Sequence, residues 1–297
     1  MKSSRREFMG AGLAAGACLS AGALRLYSYD VKGPLGFQVH GLAQQIAKDF
    51  AGTLRLMAGM KYKAVELVSF PGFGPRFASL AALKPAEIRQ IIADAGMTAP
   101  SSHFLTEELL GENLNRVADW ANGVGIKYVV ETNRAKVRTN LSKSDWQPVL
   151  DRINRTGEQL RKAGLQLGLH TTPEIFLTNE DVPALDQFVK NVPATNCLLE
   201  MDVSATHRAS VLAGEAMAKY PGRFFALHLR DAKRRPDITE ELPPLPLGQG
   251  EVDLKEALVG AKKGRVKYYI MEMEVRPPAD PVEAFKISAE YLRNLKI

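Results

Sequence analysis

The chain has 297 residues and only five histidines, and four of these close or interrupt short apolar runs. His40 ends LGFQVH, His103 sits in TAPSSHF, His170 ends LQLGLH and His228 lies within FFALHLRD; the fifth, His207, follows five residues after Asp202. Imidazole titrates near neutral pH and is the commonest metal ligand, so a set of histidines at the ends of such runs points to a site. Carboxylates occupy similar places: Glu66 in KAVELVSF, Glu131 in IKYVVE, Asp202 in CLLEMDV and Glu272 in KYYIMEMEV. An unpaired carboxylate inside an apolar segment is costly, so these groups are expected to pair or to bind metal. Asp202, His228 and Glu272 come from three consecutive runs, and His170 comes from the run before them. Together they make a mixed nitrogen and oxygen set suited to one Mn²⁺, Zn²⁺, Co²⁺ or Fe²⁺ ion, and less well to Mg²⁺. Arg230, Lys233 and Arg234 follow His228 and can hold hydroxyls or a carboxylate. Glu174, four residues past His170, and His40 are further candidates for substrate contact.

These residues need a frame that brings them together, and the segments between them supply one. From Leu35 onward, eight apolar runs (35–40, 63–70, 98–104, 126–131, 165–170, 197–203, 224–231 and 267–275) alternate with amphipathic stretches. The stretches include FAGTLRLMAGM, PAEIRQIIADAGM, LNRVADWANGVG, VLDRINRTGEQLRKAG, VLAGEAMAKY, LKEALVGAKK and PVEAFKISAEYLRNL. Gly96, Gly125 and Gly164 stand where helices would end before the next strand. Strands alternating with helices read as βαβ units with a parallel sheet. Eight of them without a linker or a Gly-x-Gly-x-x-Gly turn predict an α/β fold, a single-domain (β/α)8 barrel. In that architecture the strand ends, and the histidines and carboxylates on them, form the floor of one active-site rim. The stretch Leu242–Pro246 is expected to be a loop after strand seven.

Composition narrows the class. Hydrophobic residues make up 45% and charged residues 24% of the chain, as in an ordinary globular enzyme. The net charge is +6, but the cations are scattered rather than striped, which disfavours nucleic acid as a partner. Cys18 and Cys197 are the only cysteines, so no disulfide framework is implied and Cys197 is expected to be a buried apolar residue. Residues 1–23 read as a twin-arginine export signal: Ser4-Arg5-Arg6-Glu7-Phe8-Met9, a Gly/Ala-rich run from Gly10 to Leu19, then Ala21-Gly22-Ala23 as the cleavage site. The mature barrel then spans 24–297 in the periplasm or outside the cell. A lipid anchor on Cys18 fits poorly, because Ala15-Gly16-Ala17 lacks the usual Leu or Val, and no later run is long enough to span a membrane.

Taken in order, DFAGTLRLMAGMKYKAVEL, APSSHF, VLDRINRTGEQLRKAGLQLGLH, EMDV, KYPGRFFALHLRDAK, LGQGEVDLKEAL and YIMEME…DPVEAFKISAEYLRNL resemble the sugar phosphate isomerase/epimerase proteins of the xylose isomerase-like barrel group. The exported branch of that group is the nearer match. The resemblance implies one divalent metal held at the ends of strands five to eight, usually by Glu, Asp, His and Glu. Asp202, His228 and Glu272 match the last three, and His170 stands at the strand-five position. The exported branch often reads Tyr-His-Asn-His-Asp there, so His170 matches its first histidine while Thr171, Thr172 and Pro173 depart. The implied chemistry is proton transfer on carbon next to a carbonyl, with the metal stabilising an enediolate. Glu272 is the implied base, and His103 or Glu66 is its partner. Ketose epimerases of this group often have histidine three residues after the strand-six aspartate; here that residue is Ala205, with His207 displaced. An exported location favours an unphosphorylated sugar, cyclitol or keto-glycoside as substrate. A keto-sugar lyase or hydratase, a metal-dependent phosphate-ester hydrolase and a non-catalytic carbohydrate-binding barrel are the alternatives. Dimers are common in the group, which leaves a homodimer open.

Overall fold

The computed structural model describes residues 34–132, 143–179, 182–233, 244–273 and 280–296. Residues 1–23, expected from the sequence to be an export signal, lie outside the described residues with Arg5, Arg6 and Cys18, as do Arg234 and the first two residues of the Pro-rich loop.

Several strand segments are apolar on both faces. Ala64–Val68 and Phe224–Leu229 are buried at every position, the pattern of a parallel sheet covered on both sides rather than the alternation of an antiparallel one. Eight strands follow: β1 Leu35–Gln38, β2 Ala64–Val68, β3 Ser101–Leu105, β4 Tyr128–Thr132, β5 Gln166–His170, β6 Cys197–Asp202, β7 Phe224–Leu229 and β8 Tyr268–Met271. Each pairs in parallel with its sequence neighbours, and β1 pairs with both β2 and β8, so the sheet closes into a barrel. Each apolar run of the sequence supplies one strand.

Seven helices return the chain between successive strands and an eighth follows the last: α1 Phe50–Gly59, α2 Pro85–Asp94, α3 Asn113–Val124, α4 Lys143–Lys162, α5 Ala184–Asn191, α6 Ala213–Lys219, α7 Leu254–Lys263 and α8 Pro281–Asn294. The sequence marks seven of them. It does not mark α5, whose eight residues give about two turns of pattern, too few for periodicity to stand out. Local chemistry sets the helix ends. The Asp49 carboxylate accepts the Gly52 N–H at 2.8 Å to open α1, and Asp253 accepts that of Glu256 at 2.9 Å to open α7. Gly125, at φ 91°, ends α3 in the left-handed conformation that a side chain would strain.

Two apolar layers result. The larger lies between strands and helices and includes Phe37, Leu54, Val65, Ile88, Leu160, Leu199, Leu227 and Phe285. The smaller fills the barrel from inside with Tyr128, Val130, Phe225, Ala226 and Ile270. Tyr128 and Phe225 stack there at 4.1 Å. This plug needs strands that give way to it: a Cβ on Gly168 would lie 2.9 Å from the Phe225 ring, and one on Gly36 would lie 2.6 Å from Ile270 Cδ1. Cys197 is buried, as its apolar setting predicts, and burial pushes its thiol up. Among the described residues no helix is long and apolar enough to cross a membrane. Gly168→Val should therefore overpack the plug, costing about 1–3 kcal/mol; a lowered denaturation midpoint with an unchanged far-ultraviolet spectrum is the expected measurement.

Candidate metal centre

Side chains alternate across a strand, and the plug fixes which parity points inward. Above it, on the same inward rows, the strands carry Gln38, Glu66, His103, His170, Glu200, Asp202 and His228. Register aligns them: Gln38 lies opposite Glu66, Val68 opposite His103, His170 opposite Glu200, and Asp202 opposite His228. Glu272 follows β8 directly at the rim.

The lower tier is fully enclosed. Glu66, Glu200 and His228 are 0% exposed and His103 is 3% exposed. His103 Nε2 lies 2.7 Å from Glu200 Oε2 and 3.1 Å from Glu66 Oε2. Ser101 donates to Glu66 Oε1 at 2.6 Å. The Gln38 amide lies 3.1 Å from His103 Nδ1, and a doubly protonated ring requires the amide oxygen to face it. The upper tier reaches the opening. His170 Nδ1 lies 3.0 Å from Glu200 Oε2, and its Nε2 lies 3.4 Å from Asp202 Oδ2. His228 Nδ1 is 2.9 Å from Glu272 Oε2. Arg230 Nη1 lies between Asp202 Oδ2 at 3.3 Å and Glu272 Oε2 at 3.4 Å.

The electrostatics follow from this crowding. Burial opposes charge on every member, but opposite charges outweigh it. Glu66 and Glu200 bring His103 up to about 10, and Glu200 with Glu66 raises His228 well above its ordinary value. Contacts with Asp202 and Glu200 raise His170. His228 and His103 hold Glu200 well below the usual carboxylate range. Arg230, then His170, lowers Asp202 to about 2, and Arg230 with His228 lowers Glu272 strongly.

The donor set fits a cation. Glu66 Oε2, Glu200 Oε1 and His228 Nε2 are buried and make no hydrogen bond. His228 Nε2 does approach Glu66 Oε2 at 2.7 Å and Glu200 Oε1 at 3.2 Å, but outside hydrogen-bonding directions, so proximity here is attraction without directional pairing. Among the described residues, two donor groups meet the spacing a metal requires, His103–His170–Glu200–His228 and His170–Asp202–Glu272, with His170 common to both. The 3.4 Å between His170 Nε2 and Asp202 Oδ2 is long for a hydrogen bond. It equals the separation of two ligands each about 2.1 Å from one ion at a tetrahedral angle.

Of the residues the sequence pointed to, His103, His170, Asp202, His228, Glu272, Glu66 and Arg230 come together in this cluster. Lys233 is exposed, just past the Asp231–Ala232 bridge. Glu174 is half-buried in the single turn Pro173–Phe176. His40 packs against Phe73 and Phe77 with ring centres at 4.8 and 5.9 Å. His207 lies in the short helix Val203–Arg208, outside both donor groups. Glu131 is a correction. It was grouped with the strand-end carboxylates of the rim, yet it faces outward, where Arg152 on α4 holds both its oxygens at 2.7 and 2.8 Å and Thr106 donates at 2.8 Å. Its neighbours Tyr128 and Val130 take the inward parity. Conversely, Glu200 joins the site although the sequence reading passed over it; its spacing of two from Asp202 on one strand was the available signal. Thr171 does structural work: its Oγ1 accepts the Asp202 N–H and its own N–H donates to the Glu200 carbonyl, both at 2.9 Å.

The sequence profile of the xylose isomerase-like TIM barrel family matches residues 54–295. No curated protein matches the chain. Among solved structures, a sugar phosphate isomerase/epimerase from Parabacteroides distasonis is 21% identical, with a TM-score of 0.71 over 89% of this chain and 98% of that one. The probable 3-DHS dehydratase AsbF of Bacillus anthracis, involved in petrobactin synthesis, is 12% identical, with a TM-score of 0.71 over 88% and 99% of the two chains. The IOLI protein, solved with a bound zinc atom, is 14% identical, with a TM-score of 0.68 over 86% and 95%. At these identities the structures share a fold with this chain, and the profile match covers most of its length. The chain belongs to the xylose isomerase-like TIM barrel family.

Proposed function

We propose that this protein is a divalent-metal-dependent enzyme that moves a proton on carbon next to a carbonyl, acting on an unphosphorylated sugar, cyclitol or keto-glycoside. The observation that carries this reading is the meeting of His170, Asp202 and Glu272 at ligand spacing, with His228 beneath them 2.9 Å from Glu272 and Arg230 between the two carboxylates. These four would hold one ion, of Mn²⁺, Zn²⁺, Co²⁺ or Fe²⁺ type; the zinc bound in the IOLI structure is consistent with that donor chemistry. When bound, the metal supplies Lewis-acid polarisation of the carbonyl and favours the enediolate charge. Glu272, 8% exposed at the rim, takes the proton. Arg230 holds Glu272 and Asp202 in place and offers N–H groups to a substrate hydroxyl or carboxylate, and Lys233, Glu174 and His40 are candidate contacts farther out. Glu66 and His103 lie in the enclosed tier, where they balance charge and pass protons to Glu200 or to each other.

The rim offers one carboxylate base, because His170 stands where a second would be needed. One-sided proton removal, as in isomerisation or β-elimination, suits this better than symmetric two-base epimerisation. A keto-sugar lyase or hydratase is therefore the second reading, and the dehydratase among the structural neighbours shares the barrel such chemistry would use. The twin-arginine signal at 1–23 places the mature enzyme, residues 24–297, in the periplasm or outside the cell, where phosphorylated sugars are scarce.

Metal analysis of the purified protein, combined with solvent-deuterium incorporation into a panel of keto-sugars and keto-glycosides, tests the reading. One ion per chain and deuterium exchange that falls about 10²–10⁴-fold in Glu272→Gln are expected. A loaded enzyme that neither exchanges nor converts any of them would end the proton-transfer hypothesis; a folded protein without affinity for metal would favour the carbohydrate binder, and more than one ion the hydrolase.

A second expectation concerns protons. All three imidazoles are raised without metal, and a histidine must be deprotonated at the coordinating nitrogen to bind. Metal binding should release protons, seen as a buffer-dependent binding enthalpy, and affinity should rise with pH. The metal-free fold shows the opposite trend: because His103 is raised from 6.5 to about 10, its stabilising contribution is complete below 6.5 and is lost as pH climbs to about 10. Thermal melts of metal-free protein should fall over that window, and His103→Asn should flatten the decline.

A further inference from the structure

We infer that Glu200 is a positioning residue for the metal centre: its carboxylate accepts the Nδ1 proton of His170 and thereby leaves Nε2, which faces Asp202, as the coordinating nitrogen. The inference rests on the metal-binding role proposed above for His170. A neutral imidazole carries one proton and one lone pair, and whichever nitrogen is hydrogen-bonded to a carboxylate determines which is left for a metal. His170 has a carboxylate at each nitrogen, so the distances decide. Glu200 Oε2 lies 3.0 Å from Nδ1, with hydrogen-bond geometry. Asp202 Oδ2 lies 3.4 Å from Nε2, too far for a strong hydrogen bond.

Their other partners point the same way. Glu200 is 0% exposed and depends on ring N–H groups, from His103 at 2.7 Å and His170 at 3.0 Å. Asp202 already accepts the Ser204 N–H at 2.7 Å and has Arg230 at 3.3 Å, so it can turn its remaining lone pairs to an ion. The strands fix the arrangement. His170 and Glu200 are register partners on β5 and β6, Glu200 and Asp202 share one face two residues apart, and Thr171 ties both strand ends together at 2.9 Å. The grip on His170 is thus set by backbone pairing rather than by loop conformation.

The alternative assigns the opposite tautomer, with Nδ1 turned to an ion in the lower donor group beside His103 and His228. The full-length protein distinguishes the two. Zn²⁺ affinity is measured by chelator competition for wild type, Glu200→Gln, His170→Ala and the double variant, and histidine tautomers are read from long-range ¹H–¹⁵N spectra of the Zn²⁺-loaded wild type, which needs no variant to fold. Glu200→Gln is expected to weaken Zn²⁺ about 10–100-fold in the wild-type background and less than about twofold where His170 is absent, and the spectra should show His170 protonated at Nδ1 and metal-shifted at Nε2. Equal losses in both backgrounds, or Zn²⁺ on Nδ1, would overturn the assignment while leaving the metal-binding reading intact. A wild type that binds no Zn²⁺ would overturn both.

Discussion

Glu66, Glu200, Asp202 and Glu272 crowd four carboxylates into one barrel mouth, and none is more than 8% exposed. At such separations like charges repel by several kcal/mol even in a moderately polarisable interior, so the cluster exists only with its counter-charges. Arg230 supplies one fixed cation. These acids draw the imidazoles toward their charged forms, and this is why His103, His170 and His228 are all raised. In the proposed metal-bound form, a divalent ion would supply much of that positive charge, leaving less to be carried by an imidazolium. His103 is the natural place for it, being held between Glu66 and Glu200. Under the metal-binding role proposed above, the site would exchange protons for a cation at nearly constant charge, with the lower tier balancing the upper one.

The scaffold serves that exchange by keeping its two apolar layers separate. The plug of Tyr128, Val130, Phe225, Ala226 and Ile270 closes the barrel from below and keeps water from the carboxylates on that side. At the rim, a side-chain carboxylate gathers the loop after β7. Asp231, 1% exposed, accepts the N–H groups of Ala232, Gly248, Gly250 and Val252 at 2.8–3.2 Å. A Cβ on Gly250 would lie 2.0 Å from that carboxylate, which explains the glycine in LGQGEV. One buried acid, directly after Arg230 in the chain, thereby fixes the backbone of residues 248–252.

The barrel was legible in the sequence because its signal is repetitive: eight apolar runs, each followed by an amphipathic segment. The site was legible in part, for the reason that made the strands easy to find. A strand buried on both faces reads apolar throughout, so hydrophobicity does not reveal which residues point inward. Glu131 and Glu200 show the cost. Both are buried carboxylates in apolar runs, at 1% and 0% exposure, yet one faces α4 and Arg152 while the other faces the barrel axis. The sequence offered only relative parity, and only the spacing of Glu200 from Asp202 used it. The partner Arg152 lies 21 residues from Glu131, in a helix whose facing side is settled by packing.

His170 is where local departure and global balance meet. A carboxylate at the end of β5 would add a fifth negative charge to the cluster and would need a further cation or proton beneath it. A neutral imidazole adds none, and its second nitrogen reaches down to Glu200, so it can ligate above while satisfying a buried acid below. In the proposed reaction, a histidine there offers no carboxylate base to one face of the substrate and leaves Glu272 to take the proton. A ligand that donates no charge also leaves the ion a stronger Lewis acid. Charge balance in the lower tier and the one-sided proton transfer proposed for the upper tier would therefore both follow from one residue, and His170→Glu alone would add a second rim base only by unbalancing the acids that hold the site together.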